Sequence, residues 1–175
     1  MSNEKRPPVS TRGGDDGTTT LLGAGRISKH DVRIIVLGDV DEASSSIGLA
    51  RVESDGDVAE LLIRLQRLLY RVMGDVAMPE EENAVDESDL AYLDVALEDW
   101  RNRTEIPNDF IIPGETKLGA LLDVSRSVVR RAERSLAAAG YAGTHPDAFK
   151  AVNRLSDLLF VVARNADGKA SLSKE

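Results

Sequence analysis

Ser125–Arg134, SRSVVRRAER, and Asn153–Arg164, NRLSDLLFVVAR, both read as helix, yet they carry more arginine beside an apolar stripe than a core helix needs. On a wheel of 3.6 residues per turn, Leu118, Leu122, Ser125, Val129, Ala132 and Leu136 form one seam, with Arg126 roughly 80° from it, Arg130 about 120° and Glu133 about 60°. The charged groups border the buried stripe. Arg126, Arg130 and Arg134 recur every four residues, a like-charge spacing that weakens an isolated helix by roughly a few tenths of a kcal/mol per pair unless anions lie alongside. Those anions are carboxylates or phosphates.

Apolar spacing on either side extends the pattern to five helices at about 39–53, 57–78, 87–104, 116–140 and 146–166. Asp39 with Glu42 looks like a capping box opening the first. Leu61, Leu62, Leu65, Leu68, Leu69, Val72 and Met73 give the second a continuous core face, and Leu90, Leu93, Leu97 and Trp100 do the same for the third. Glu81, Glu82 and Asp86 read as a solvated acidic stretch. Asp109–Glu115, DFIIPGE, is a short extended loop, because Pro113-Gly114 stops a helix. The sequence divides into a flexible tail over 1–10, one helical domain over 11–166 that includes a Gly-rich loop over 11–30, and a second flexible tail over 167–175.

With 175 residues the chain has room for one domain with a real core. Apolar residues make up 42% and aromatics only 4%, which favours packed Leu/Val/Ala helices and an all-α bundle. The net charge of −8 argues against general affinity for nucleic acid or acidic membranes. No apolar run approaches the length of a membrane span, and the N-terminus lacks the apolar core of a signal peptide. The chain has no cysteine, which fits a reducing, cytoplasmic setting and excludes thiol chemistry, and His30 and His145 are too few for a histidine-rich metal site. Thr11–Leu22, TRGGDDGTTTLL, leaves backbone N–H groups open to close approach, as a phosphate-binding loop requires, but without the Gly-Lys-Ser/Thr of a P-loop its spacing fits a plain turn equally well.

Taken together, TRGGDDGTTTL, GDVDEASSSIGLAR (38–51), FIIPGE and the two arginine-bearing helices resemble the ATP:cob(I)alamin adenosyltransferases of the propanediol-utilisation type, over about Thr11 to Ala166. The resemblance implies a five-helix bundle that assembles as a homotrimer, with ATP and cobalamin held at each subunit interface. It implies that Thr11, Arg12, Gly14, Asp15, Gly17 and Thr19 wrap the triphosphate with Lys29 nearby. It further implies that Asp41 and Arg126 form the pair that locks neighbouring elements, and that Arg130, Glu133 and Asn153 belong to the ATP and magnesium site, with Glu133 a Mg2+ ligand. Phe110 matches the aromatic residue that closes the lower face of the corrin. Three positions depart from the family pattern: Glu115 after Pro113-Gly114, Asp123 where histidine is common, and Gly13 where threonine is usual. Glu115 and Asp123 are expected to add negative charge near the corrinoid end.

The reaction so implied moves the 5′-deoxyadenosyl group of ATP onto cobalt and releases triphosphate. Cobalt(I) is the nucleophile, so no protein nucleophile is needed, in keeping with a chain that has neither cysteine nor a Ser/His/Asp set. An electron-donor reductase and an adenosylcobalamin-dependent acceptor enzyme are the protein partners such a reaction allows. A non-catalytic corrinoid or nucleotide carrier on the same bundle is the alternative, although a simple corrinoid carrier has no use for a triphosphate site. Arg131, Arg134, Arg154 and Arg164 read as structural or surface arginines with acidic partners.

Overall fold

The computed structural model describes Ser10, residues 12–22 and residues 25–174; Thr11 lies outside the described residues. A two-stranded antiparallel hairpin, β1 (Thr18–Leu21) and β2 (Gly25–Ser28), precedes the helices α1 (Val32–Val52), α2 (Gly56–Ala77) and α3 (Glu87–Asn102). A short strand β3 (Ile111–Ile112) leads to α4 (Lys117–Ala138), the single turn α5 (Tyr141–Thr144), α6 (Pro146–Asp167) and β4 (Ser171–Leu172). Five long helices therefore carry the fold, as the apolar spacing predicts.

The start of α1 differs from that spacing. It begins at Val32, and Asp31 is its cap, accepting the Arg33 amide at 3.0 Å. Asp39 and Glu42 are not a capping box but mid-helix acids turned toward α4, where Asp39 accepts the Ser135 hydroxyl and both contact Arg131. Burial of Val36 and Val40 beneath the neighbouring helices sustains the first two turns in spite of their β-branched residues. Elsewhere the caps follow the sequence. Asp86 and Asp89 form a reciprocal capping box on α3. Thr116, just past the Pro113-Gly114 stop, caps α4 by accepting the Gly119 amide at 2.9 Å.

α4 packs between α1 and α6, α1 also packs on α2, and α6 on α3. α4 therefore has two buried flanks, and α6, with Val152, Leu155, Leu158, Leu159 and Val162 all inaccessible, is the most enclosed helix. α6 runs on to Asp167 and ends at Gly168, whose φ of +65° is the left-handed turn glycine takes without cost. The segment beyond, which reads as a loose end, contains a strand. Ile111 pairs with Leu172, Ile112 pairs with Ser171, and the Ser173 amide donates to the Phe110 carbonyl at 2.8 Å. The Phe110 loop and the end of the chain are thus one structural unit.

Candidate functional site

The N-terminal loop is shaped around its glycines. Lys29 donates from Nζ to the Gly14 carbonyl at 2.8 Å and from its backbone amide to the Gly17 carbonyl at 2.9 Å. A Cβ on Gly14 would stand 3.1 Å from Lys29 Nζ, so a larger residue would crowd the lysine out of this position. Gly17 has φ of +79° and Arg12 has φ of +54°, a backbone that turns sharply on both sides of Asp15. Asp15 is exposed, while Thr19 is half-buried in β1 opposite Ile27. Arg26 is a cation that sequence reasoning passes over. It donates to the Gly13 carbonyl at 2.5 Å and to Asp16 at 3.0 Å. Hydrogen bonds from Thr18, followed by the nearby Arg26 charge, hold the Asp16 carboxyl below its ordinary range. The loop is a tight, exposed turn with two cations folded over it.

A second polar surface lies on the seam of α4 and α6. Asn153 donates its amide to Glu133 at 2.8 Å, which joins two of the expected site residues across the helix pair. Asp157, one turn beyond Asn153 and exposed, joins them: partial desolvation beside the helix pair and the Glu133 charge push its carboxyl up, and Arg130 opposes that shift. Sequence reasoning missed Asp157, although its spacing of four from Asn153 places both on one helix face. Arg130 is exposed and forms no ion pair among the described residues; Arg134, expected to have an acidic partner, also has no ion pair among them and donates instead to the Arg130 carbonyl, whereas Arg131 contacts Glu42, Arg154 contacts Asp94 and Arg164 contacts Asp123.

Arg126 and Asp41 do not meet within the chain. Arg126 Nε donates to Asp123 at 3.0 Å, and Asp41 stands exposed on the outer face of α1 with Leu49 and Val52. Nor does any hydrogen bond or ion pair among the described residues link the loop to Arg126, Arg130, Glu133 or Asn153. Phe110 is 84% exposed at the tip of its loop. Beside Arg126, an open hollow of about 380 Å³ is bounded by Pro113, Val124 and Val128, with Val124 more than half exposed. Asp123 does not add free negative charge there, because it is buried between Arg126 and Arg164. Glu115 accepts the Ser171 amide at 3.0 Å, tying the loop to β4.

Residues 9–166 match the family model described as cobalamin adenosyltransferase. The chain belongs to that family. It is 39% identical to the corrinoid adenosyltransferase of Mycobacterium tuberculosis (strain ATCC 25618 / H37Rv), over 91% of this chain and 90% of the relative. It is 38% identical to the cobalamin adenosyltransferase of Cupriavidus metallidurans, over 89% of this chain and 86% of that one. The fold superposes with a TM-score of 0.86 on a variant of the PduO-type ATP:corrinoid adenosyltransferase from Lactobacillus reuteri complexed with cobalamin and ATP, at 26% identity and covering 96% of this chain and 100% of that one. Among the described residues no helix is long and apolar enough to cross a membrane.

Among the described residues no three His, Asp or Glu side chains cluster as a metal cage. Mg2+ does not require one, since it is commonly held by one or two carboxylates together with substrate phosphates and water. Glu133, with Asp157 in electrostatic reach, suits that mode.

Proposed function

We propose that the chain transfers the 5′-deoxyadenosyl group of ATP to the cobalt of a reduced corrinoid, working as a homotrimer whose sites are shared between subunits. The observation that carries this is Arg130: an arginine without an ion-pair partner among the described residues, beside the Glu133–Asn153 contact, in a helix whose neighbouring arginine is already matched to acids. An unmatched guanidinium on such a seam favours an external polyanion.

The loop supplies the other half of an ATP site. Backbone amides near Gly14 and Gly17, with Lys29, cradle the phosphates. Arg130 and Arg126 neutralise the charge that grows on triphosphate as its bond to C5′ breaks. Mg2+, held by Glu133 with Asp157 beside it, would add charge neutralisation on the phosphates. Asp41 pairs with Arg126 of a neighbouring subunit, a reading supported by their separation within one chain. The apolar outer face of α1 and the exposed Val124 support the same assembly. Phe110 closes the lower face of the corrin and keeps an axial ligand from cobalt, which eases reduction of cobalt(II). An electron-donating reductase and an acceptor of adenosylcobalamin would then work with this trimer.

The test is to mix protein, ATP, magnesium chloride and chemically reduced cobalamin and follow the spectrum. Adenosylcobalamin forms if the reading holds. Binding of both substrates without its formation would make the protein a carrier.

A further inference from the structure

Asp123 is where two arginines from different helices meet. Its Oδ1 accepts Arg126 Nε within α4, and its Oδ2 accepts Arg164 Nη2 from α6. Arg164 is also held by Asp167, 3.0 Å away. Asp167 Oδ1 accepts the backbone amide of Thr116 at 3.1 Å and its hydroxyl at 3.0 Å, so the cap of α4 anchors the far end of the series. Gly119 leaves room for this approach, since a Cβ there would stand 1.9 Å from Asp167 Oδ1.

The side chains of Arg164, Asp123 and Asp167 are 2%, 5% and 0% exposed, and the series reaches the surface at Arg126, which is 27% exposed. Two aspartates balance two arginines, which keeps the buried charge compensated. Stability alone is a weak reason for such a cluster, because apolar side chains of the same volume fill a core as well or better. What the cluster supplies is direction. Donation from Nε fixes the plane of a guanidinium, and both terminal nitrogens of Arg126 are left without a partner among the described residues, beside the hollow that Val124 and Val128 border.

We infer that Asp123 is a positioning residue for adenosyl transfer: clamped by Arg164, which Asp167 holds in turn, it fixes the Arg126 guanidinium so that both terminal nitrogens face the shared site. This rests on the proposed role of Arg126 in that site. It also places the Phe110 loop, which runs into Thr116, at the other end of the same set of contacts.

The experiment is a double-mutant cycle on the full-length protein. Asp123→Asn should lower kcat roughly ten- to a hundredfold, with a smaller change in KM for ATP, because a misaimed side chain harms the reacting geometry more than ground-state binding. In an Arg126→Lys background, where the fork is already gone, the same substitution should lower kcat by no more than about twofold while lowering the melting temperature as much as before. Equal fractional losses of kcat in both backgrounds would make Asp123 merely structural. A second readout needs no Asp123 variant: the Arg126 Nε proton of the wild type, followed by nitrogen-resolved NMR, should be protected from solvent exchange, and fast exchange overturns the inference. A wild type that binds ATP but makes no adenosylcobalamin would instead overturn the proposed function, and the Nε proton would still judge the clamp.

Discussion

Asn153 and Glu133 are joined by a 2.8 Å hydrogen bond across the α4–α6 seam, on a surface open to solvent. A neutral donor on an exposed carboxylate adds about 1 kcal/mol or less to stability. What the contact does is hold the Glu133 carboxylate in a set direction beside Arg130 and Asp157. Residues placed for stability gather in the core, whereas here three charged groups and an amide are gathered at a rim where they can meet a ligand.

Arg130 and Arg134 stand one turn apart and make a matched pair of controls. Arg130→Ala should lower kcat/KM for ATP by about a hundredfold or more, as loss of a charge that faces a developing anion does. Arg134 donates to the Arg130 carbonyl at 2.9 Å on an exposed surface, and Arg134→Ala should cost only a few-fold. Circular dichroism should find both variants as helical as the wild type. Similar losses in the two variants would remove the special role of Arg130.

Asp157 should show opposite effects on stability and activity. Its side chain stays exposed, yet partial desolvation by the helix pair and then the Glu133 charge push its carboxyl above the ordinary value of 3.8. Folding therefore favours the protonated acid, and the wild type loses stability as pH rises from the unfolded value through the higher folded one. Asp157→Asn removes that penalty. Its melting temperature should match or exceed that of the wild type at pH 7, with the gap closing below about pH 4. Magnesium-dependent turnover should fall in the same variant. A lower melting temperature at pH 7 with full activity would contradict both halves.

Phe110, largely exposed, contributes little to the core, so Phe110→Ala should leave the melting temperature within about 2 °C of the wild type. If its ring excludes an axial ligand, turnover starting from cobalt(II) should drop steeply, while turnover starting from pre-reduced cobalt(I), which needs no such ligand, should drop much less. Equal losses from both starting states would return Phe110 to the role of a loop anchor.

Apolar periodicity is enough to find the five helices, because each buries a stripe against its neighbours. It misplaces the start of α1, where Val32–Gly38 lacks an obvious helical signature and tertiary burial of Val36 decides the matter. It also misjudges Asp123. A wheel with a single seam puts that residue at about 140°, on the outside. Near its N-terminal end, however, α4 presses a second flank on α6, and the acid buried there is matched by Arg164 from another helix as well as by Arg126. The expected grouping of Arg130, Glu133 and Asn153 rests on a family resemblance that bears on spacing along two helices, and those helices do pack together. Asp157 carries no family motif in that reading and becomes visible only when its neighbours across the seam are known. Asp41 and Arg126 make no contact within one chain, so the pairing proposed for them can form only between subunits.

That separation sets the final test. Lys29→Ala removes a cation from the loop, and Arg130→Ala removes one from the α4–α6 seam. Each variant alone should form little adenosylcobalamin. Co-expressed with different affinity tags and purified as mixed trimers, they should regain activity in about one third of the sites, because any trimer that contains both variants has a single interface out of its three where an intact loop meets an intact seam, when the two halves come from neighbouring subunits. Recovery of adenosylcobalamin formation in the mixed trimers is the predicted result. Mixed trimers no more active than the parents, at equal folding and equal trimer content, would show that both halves must lie on one chain and would contradict a site shared between subunits.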